Sequence, residues 1–316
     1  MFRRIVSWLL VMCLFVQPCF AWSESGHHLI GVLAFDLMPA DKQAKLLHIL
    51  KAHPRLADDF KLPTSLNTEA DKSRWVLGHA SYWPDIARSQ PKYNRPTWHY
   101  QLGSALTVGR DVNVPATPGQ LPPGSTLKTE DLYIAQAVEL CRRILQNEAT
   151  SDADKALAIC WIGHLVGDAH QPCHAGSLYC ETVFPDGDRG ANSIKTKQGR
   201  NLHALWDGLF GSRFDLADTR RRAVELRGLP EWNAAGEGGE QLDPSVWLAE
   251  SVEYARSSVY TEEVLAAVEA ARRSGTMTVE QIDLSESYLK KAGAVAQQRA
   301  VLAAHRLAKI LDEDLP

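Results

Sequence analysis

Two stretches of the sequence place a histidine four residues before an aspartate, which is the spacing of neighbours on one helical face. An imidazole nitrogen and a carboxylate oxygen one helical turn apart can bind one divalent cation of the zinc type. One such pair is weakly specific, because surface ion pairs have the same spacing. Two pairs, together with a histidine just beyond Pro172, predict a metal site. The residues are His164 with Asp168, His203 with Asp207, and His174.

Two further residues with ligating side chains precede these pairs. Asp85 follows Pro84 in the stretch WPD, where we expect a helix to have ended, and His99 lies in TWHYQ, in a segment expected to be extended. Taken singly, an aspartate in a turn or a histidine in an apolar strand is more often structural. In the company of two His-Asp pairs, both residues become candidate metal ligands.

The start of the chain has the pattern of a secretory signal peptide over residues 1–21. Two arginines precede a short apolar run at 5–16, which is too short to span a bilayer comfortably, and a small residue, Ala21, follows it. Cleavage there leaves Trp22 as the first residue, with a free α-amino group five residues before His27. We therefore expect a secreted or periplasmic protein with no stable membrane association.

The helices that must position these ligands dominate the rest of the pattern. The two His-Asp pairs fall in helices predicted over 152–170 and 201–210. Other helices are predicted over 27–38, 41–52, 69–82, 129–147, 244–260 and 278–311. Loops are expected near 103–128 and 228–243, with slight strand signals at 97–102 and 192–196. The sequence predicts one all-α domain over residues 22–316 with long surface loops.

The charge balance limits how this protein could bind nucleic acid. The full chain has a net charge of −4, and loss of the two arginines within residues 1–21 changes it to −4 − 2 = −6. No basic block is present that could follow a phosphate backbone by itself. Any attraction for phosphodiesters must therefore come from a local site, and no feature of the sequence indicates a protein partner.

Four cysteines remain after signal cleavage, and an even number in an exported protein indicates disulfides. Cys173 and Cys180 enclose a short loop beside a candidate ligand. Cys141 and Cys160 lie nine and ten residues from a turn near residue 150, at matching height on two helices expected to be antiparallel. We predict both bridges, with two buried thiols as the alternative for the second pair.

The order of these motifs resembles that of the zinc-dependent S1/P1 nucleases, from Trp22 to about Phe210. The shared pattern is an N-terminal Trp, a His five residues later, W-x-D, a further His, H-x-x-x-D-x-x-Q-P-x-H and N-L-H-x-x-W-D. The resemblance implies an all-α fold of the S1/P1 nuclease and phospholipase C type. It also implies a cluster of three Zn²⁺ ions.

The resemblance assigns a set of ligands to each ion. One zinc would be held by Asp85, His99, His164 and Asp168. A second would take the amino nitrogen and carbonyl oxygen of Trp22, with His27 and Asp168. A third would take His174, His203 and Asp207. Signal cleavage would then be an activation step, because an uncleaved chain offers only an amide nitrogen at the position of the ligating amine.

The same resemblance implies the chemistry. Two zincs that share Asp168 activate a water molecule for in-line attack on phosphorus, and the third neutralises the departing 3′-oxygen. Asp85 and Asp168 are the candidate catalytic carboxylates.

The substrates implied are single-stranded DNA and RNA, cut to 5′-phosphate products, and 3′-nucleotides. Tyr100 is the candidate for stacking a base that has left its neighbours. Leu102 stands where some relatives have an acidic residue, and Gly208 stands where some relatives have an asparagine.

Two other functions are compatible with the motifs. A zinc-dependent phospholipase C has a related fold and would use the same metals on a lipid phosphodiester. The short spacing from Trp22 to His27 and the run NLHALWD favour the nuclease. A zinc-binding protein without catalysis would bind the ions and turn over no phosphodiester.

The remaining histidines have no ligand pattern. His170 lies two residues beyond Asp168, roughly 200° around the helix, and so cannot share the ligand face. We expect it to be a surface group or to support the ligands from outside. Five others are expected to be structural: His28, His48, His53, His79 and His305.

Overall fold

The computed structural model describes residues 22–110 and 112–316, and within these ranges the chain is mainly helical. The predicted signal peptide lies outside the described residues. The helices are α1 (Glu24–Leu37), α2 (Ala40–Leu50), α3 (Leu56–Asp59), α4 (Glu69–Ile86), α5 (Ile134–Gln146), α6 (Asp152–His170), α7 (Leu202–Asp207), α8 (Leu216–Arg227), α9 (Pro230–Gly238), α10 (Pro244–Tyr254), α11 (Glu262–Ser274) and α12 (Glu286–Asp314). Two short strands, β1 (Ser104–Val108) and β2 (Ser177–Cys180), pair in parallel. The predicted all-α class is confirmed.

Helix α6 lies at the centre of the molecule and carries the first His-Asp pair. Every residue from 158 to 170 is buried, so this part of the helix has no solvent-facing side. A helix of this kind must be enclosed by others, and α6 contacts α1, α2, α4, α5, α10 and α12. The Ser151 side chain caps its first turn by accepting the Asp154 N–H. His164 and Asp168 are therefore held in the most constrained part of the fold.

Glycines allow α1 to approach both α4 and α6. A Cβ atom on Gly31 would lie 2.8 Å from the Cα atom of Gly78 and 2.9 Å from the carbonyl oxygen of Leu77. A Cβ atom on Gly167 of α6 would lie 2.9 Å from Nδ1 of His27. Since Cβ contacts this short are not tolerated, the absence of side chains lets α1 bring His27 against α6.

A second apolar cluster fixes α7, which carries the other His-Asp pair. Leu202 and Trp206 of α7 pack with Val264 of α11 and Tyr288 of α12. The Trp206 Nε1–H donates to the Tyr288 hydroxyl at 2.9 Å. The indole and phenol polar groups thereby satisfy each other inside an apolar environment. The residues on the opposite face of α7 are left to face the ligands on α6.

The segment that carries Asp85 differs from the prediction. Helix α4 continues through Pro84 to Ile86 instead of ending near residue 82, so Asp85 lies on a helix and not in a turn. Proline costs the helix a backbone hydrogen bond. The adjacent Trp83 is completely buried, and its Nε1–H donates to Oδ2 of Asp59 at 2.9 Å. The stability gained from packing this helical turn exceeds the cost of the missing backbone hydrogen bond.

The segment that carries His99 also differs. It forms a 3₁₀ turn, Pro96–His99, and not an extended strand. Pro96 occupies the first position of the turn, where a missing N–H has no effect. The Trp98 Nε1–H donates to the carbonyl oxygen of Thr129 at 3.1 Å and anchors the turn to the segment before α5.

Other local differences have less bearing on the site. The strands lie at β1 and β2 instead of 97–102 and 192–196, and α9 occupies much of the predicted loop at 228–243. Helices α8 and α11 lie outside the predicted set; both carry mainly polar and charged residues, with a few buried apolar side chains on one face. None of the described helices combines the length and apolar composition needed to cross a membrane.

Neither predicted disulfide is formed, so that prediction is wrong. Cys141, Cys160 and Cys180 carry free thiols. Cys141 and Cys160 are completely buried where α5 packs on α6, and burial raises the pKa of both thiols. Sequence spacing gives the height of a residue along a helix but not the direction of its Cβ atom, which a disulfide also requires. Apolar packing therefore joins these two helices.

Replacing Gly31 by alanine should destabilise the protein by about 1–3 kcal/mol, because the new methyl group must push α1 away from α4. Urea unfolding measures this change. The matched control is Gly293→Ala in α12, whose Cβ atom would meet nothing within 4 Å. That variant should be as stable as the wild type or up to about 1 kcal/mol more stable. Equal destabilisation of both variants would contradict the close-approach explanation.

Candidate metal centre

Both His-Asp pairs form the predicted contacts across one helical turn. On α6, Nε2 of His164 lies 3.2 Å from Oδ2 of Asp168, and both side chains are completely buried. On α7, Nε2 of His203 lies 3.2 Å from Oδ2 of Asp207, again in the interior. The two helices direct these pairs toward each other, and the other candidate ligands lie between and beside them.

The first group of ligating side chains combines α4, the 3₁₀ turn and α6. Oδ1 of Asp85 lies 3.9 Å from Nδ1 of His99 and 3.9 Å from Nε2 of His164. The two imidazole nitrogens are themselves 2.8 Å apart. Nδ1 of His99 also lies 3.3 Å from Oδ2 of Asp168. These atoms are close enough together to surround a single metal ion.

The second group joins the start of the described chain to α6. Nε2 of His27 lies 3.4 Å from Oδ1 of Asp168, and the rings of His27 and His164 stack at 4.0 Å. The completely buried Trp22 donates its Nε1–H to the carbonyl oxygen of Gly167 at 3.0 Å. The Ser23 N–H donates to the carbonyl oxygen of Asp207 at 3.0 Å. These bonds hold the backbone at Trp22 between α6 and α7.

The third group consists of His174 and the pair on α7. Nε2 of His174 lies 3.8 Å from Oδ1 of Asp207, and the rings of His174 and His203 are 4.8 Å apart. His174 sits in the 3₁₀ turn Pro172–His174 that follows α6. Its Nδ1 lies 3.9 Å from Oδ2 of Asp168. The third group is therefore adjacent to the first two.

Backbone carbonyl groups orient three of the histidines. Nδ1 of His164 donates to the carbonyl oxygen of Ser81 at 2.9 Å, and Nδ1 of His203 donates to that of Gly190 at 2.5 Å. Nδ1 of His174 donates to the carbonyl oxygen of His99. A carbonyl can only accept, so the proton lies on Nδ1 and the Nε2 lone pair points inward. This arrangement is typical of metal-ligating histidines.

The buried polar atoms fit a set of metal ligands. Both carboxylate oxygens of Asp168, Oδ2 of Asp85, and Nε2 of His99 and of His174 have no hydrogen-bond partner among the described residues. Buried polar atoms are normally paired, because leaving one unpaired costs about 1–3 kcal/mol. Cations bound between these side chains would satisfy the unpaired atoms of Asp168, Asp85 and His174.

The protonation states of His27, His99 and Asp168 favour metal binding. Burial lowers the pKa of His27, and it lowers that of His99 to about 3, so both rings are neutral. Burial would raise the pKa of the Asp168 carboxyl, but the neighbouring His164 and His174 hold that pKa well below its usual value. Neutral imidazoles and ionised carboxylates are the forms that bind divalent cations.

A cavity of about 390 Å³ opens onto the first and third groups. His99 and His174 line it, together with Tyr100, whose side chain is 40% exposed and meets the ring of Tyr133 edge-on at 5.6 Å. Tyr100 is therefore accessible beside the candidate ligands. A flat aromatic surface at the wall of a cavity can stack on a base.

Arg88 is a cavity residue that the sequence analysis missed. Its Nε–H donates to Oδ1 of Asp85 at 2.6 Å, and its side chain lines the same cavity. Arg88 follows Asp85 by three residues, a spacing that places both on one side of a helix. The predicted end of α4 near residue 82 concealed this relation, because no helix was expected there.

His170 lies away from the ligands, as its angular position on α6 predicts. Its Nδ1 donates to the carbonyl oxygen of Val166 at 2.7 Å, and its Nε2 accepts from Arg306 at 2.8 Å. The ring is completely buried, so His170 is not a surface group. It connects α6 to α12 and takes no part in the three groups.

The chain is similar to plant endonucleases and to one protein-family model. The chain is 24% identical to Endonuclease 3 of Arabidopsis thaliana over 211 residues, which cover 65% of this chain and 59% of the plant protein. It is 26% identical to Endonuclease 1 of the same plant over 215 residues, covering 64% and 58%. The chain thus spans about three fifths of the length of these relatives. The family model described as S1/P1 Nuclease matches residues 22–315. Because that match covers most of its length, the chain belongs to the S1/P1 nuclease family.

Proposed function

We propose that this protein is a zinc-dependent nuclease that hydrolyses single-stranded DNA and RNA to 5′-phosphate products and also acts on 3′-nucleotides. The observation that carries the proposal is the meeting of three ligand groups around Asp168, beside a cavity open to solvent. Membership of the S1/P1 nuclease family supports the same activity.

Each ligand group would hold one Zn²⁺ ion. Asp85, His99, His164 and Asp168 would hold the first. His27 and Asp168 would hold the second, together with the amino nitrogen and carbonyl oxygen of Trp22. His174, His203 and Asp207 would hold the third. When bound, zinc ions supply Lewis acidity, lower the pKa of water and neutralise charge on phosphate oxygens.

The residues of the chain support this chemistry in distinct ways. Asp168 stays ionised in the interior, and its two oxygens face different histidines, so it would be a ligand shared by two ions. Asp85 would be a ligand of the first ion. Burial would raise the pKa of its carboxyl, but neighbouring charges, of which Arg88 is the largest, lower that pKa, so Asp85 stays ionised. The guanidinium of Arg88 reaches the cavity, where it can bind the phosphate that is cleaved.

The N-terminus of the mature protein would complete the site. The Trp22 indole is hydrogen-bonded to Gly167, and the N–H of the next residue, Ser23, is hydrogen-bonded to Asp207. Cleavage after Ala21 would give it an α-amino group, whose neutral form is a good zinc ligand and whose unperturbed pKa is about 8. We therefore propose that residues 1–21 are a signal peptide, that residues 22–316 form one mature domain, and that export and activation are coupled in a secreted or periplasmic protein.

Asp168→Asn should remove bound zinc and hydrolysis of single-stranded DNA together, because two ions share this carboxylate. Zinc content is measured by mass spectrometry of the purified protein, and hydrolysis by release of acid-soluble nucleotides. Wild-type protein treated with a chelator gives the reference for complete loss of zinc and hydrolysis, and added Zn²⁺ should restore both.

The matched control for Asp168 is His170→Ala on the same helix. This variant should melt at a lower temperature, because Arg306 loses a buried partner, but should keep the full zinc content. Equal loss of zinc from both variants would contradict the assignment of the ligand face on α6.

Tyr100→Ala should lower kcat/KM on single-stranded DNA by roughly 5- to 150-fold, since stacking on an aromatic ring contributes about 1–3 kcal/mol per base. Zinc content should not change. Opening a duplex step costs a few kcal/mol, so the wild type should prefer single strands by about one to two orders of magnitude.

Tyr100→Phe is the matched control, because it keeps the aromatic ring and should keep most of the activity. Matched single- and double-stranded substrates of one sequence provide the comparison. Equal wild-type rates on both, or an unchanged rate for Tyr100→Ala, would rule out the stacking role.

A further inference from the structure

The segment 187–191, which follows β2, has an unusual backbone. Gly187, Arg189, Gly190 and Ala191 have φ angles of 83°, 61°, 59° and 67°, all in the left-handed region. Glycine adopts this region freely, but arginine and alanine do so only when their surroundings hold them there. Strained residues of this kind concentrate at functional sites.

Hydrogen bonds to β2 and to Tyr260 fix this segment. The buried carboxylate of Asp188 accepts the Leu178 N–H at 2.9 Å and the Tyr260 hydroxyl at 2.9 and 3.1 Å. The Asp188 N–H donates to the carbonyl oxygen of Leu178 at 2.9 Å. The Gly190 N–H donates to Oγ of Ser177 at 2.9 Å. The segment is therefore bound to β2 and held in place by it.

The rigid segment is pressed against the third ligand group. A Cβ atom on Gly190 would lie 2.2 Å from the carbonyl oxygen of Cys173, the residue before His174. The carbonyl oxygen of Gly190 accepts the Nδ1–H of His203 at 2.5 Å. Arg189 lies between the two anchored residues, Asp188 and Gly190, so its Cα atom has a fixed position relative to this group.

The side chain of Arg189 is exposed at the wall of the cavity that His99, Tyr100 and His174 line. It lies close enough to Tyr100 to counter part of the rise that burial causes in the pKa of that phenol. Arg88, the other arginine of the cavity, is bound to Asp85. Arg189, by contrast, forms no ion pair with any described carboxylate. An arginine with a fixed backbone position and no ion-pair partner among the described carboxylates is suited to bind an anion at the cavity wall.

We propose that Arg189 binds the phosphate next to the cleaved one, on the side of the departing 3′-oxygen. This inference rests on the proposed function, and on the expectation that a zinc ion held by the third group would neutralise that oxygen. Arg88 lies beside the first group and serves the cleaved phosphate, whereas Arg189 flanks the residue that orients His203. Arg189 would therefore favour substrates that extend beyond the nucleotide which leaves.

Two dinucleotides test this inference, dTpdT and the same compound with a 5′-phosphate, pdTpdT. Only pdTpdT carries a second phosphate on the side of the departing oxygen. The wild type should therefore have the lower KM for pdTpdT. Arg189→Gln should raise the KM for pdTpdT on the order of ten-fold. It should leave kcat, zinc content and the KM for dTpdT unchanged.

The salt dependence gives a second readout that a merely structural role would not affect. Loss of one phosphate contact to a single strand should reduce the slope of log kcat/KM against log salt concentration by about 0.7. Lys195→Gln removes the same charge from an exposed position outside this cavity and should change neither the KM values nor the slope. Arg189→Gly suits the left-handed backbone and should reproduce the effects of Arg189→Gln.

An unchanged preference for pdTpdT in Arg189→Gln and Arg189→Gly, or an equal loss on both dinucleotides, would overturn the role of Arg189. Failure of the wild type to hydrolyse single-stranded DNA or either dinucleotide would instead contradict the proposed nuclease function, and this inference with it.

Discussion

The rest of the structure depends on the contacts of one buried carboxylate, that of Asp168, with histidines from four segments of the chain. Its oxygens lie 3.2 to 3.9 Å from His27, His99, His164 and His174. Two more buried carboxylates, Asp85 and Asp207, lie around it. Burying this much negative charge is strongly unfavourable unless cations compensate it. Three zinc ions would add +6, equal in size to the −6 of residues 22–316.

The fold supplies this arrangement by enclosing α6 from residue 158 to its end. A buried helix segment can present His164 and Asp168 to neighbours on several sides, and glycines such as Gly167 let α1 bring His27 into contact. Carbonyl groups of Ser81 and Gly190 then set the direction of the imidazole nitrogens. The site is thus held by main-chain atoms of packed elements more than by flexible side chains.

Much of this site could be predicted from the sequence, because the spacing of a helix is regular. The pairs on α6 and α7 follow from a four-residue interval alone, and the angular position of His170 excludes it from the ligands. Asp85 and His99 were identified as candidate ligands, and the structure places both beside His164, although their local structure was predicted wrongly. The packing of Trp83 and Trp98 determines the local structure of these two segments, and no local sequence pattern indicates that packing.

The features that the sequence did not predict depend on contacts between distant segments. Arg88 reaches the cavity only because α4 continues past Pro84. Arg189 is placed by Asp188 and Tyr260, which are 72 residues apart. The disulfide prediction failed for a similar reason, since spacing along two helices does not determine whether Cys141 and Cys160 point at each other.

Anomalous X-ray diffraction at the zinc absorption edge, from crystals of the protein beginning at Trp22, would show whether three zinc ions bind around Asp168. We expect three strong anomalous peaks per chain, each about 2.0–2.2 Å from the nitrogen and oxygen atoms of one ligand group. Two of these peaks should both contact Asp168. An anomalous map with no peak at Asp168, or with zinc only at surface residues, would contradict this expectation.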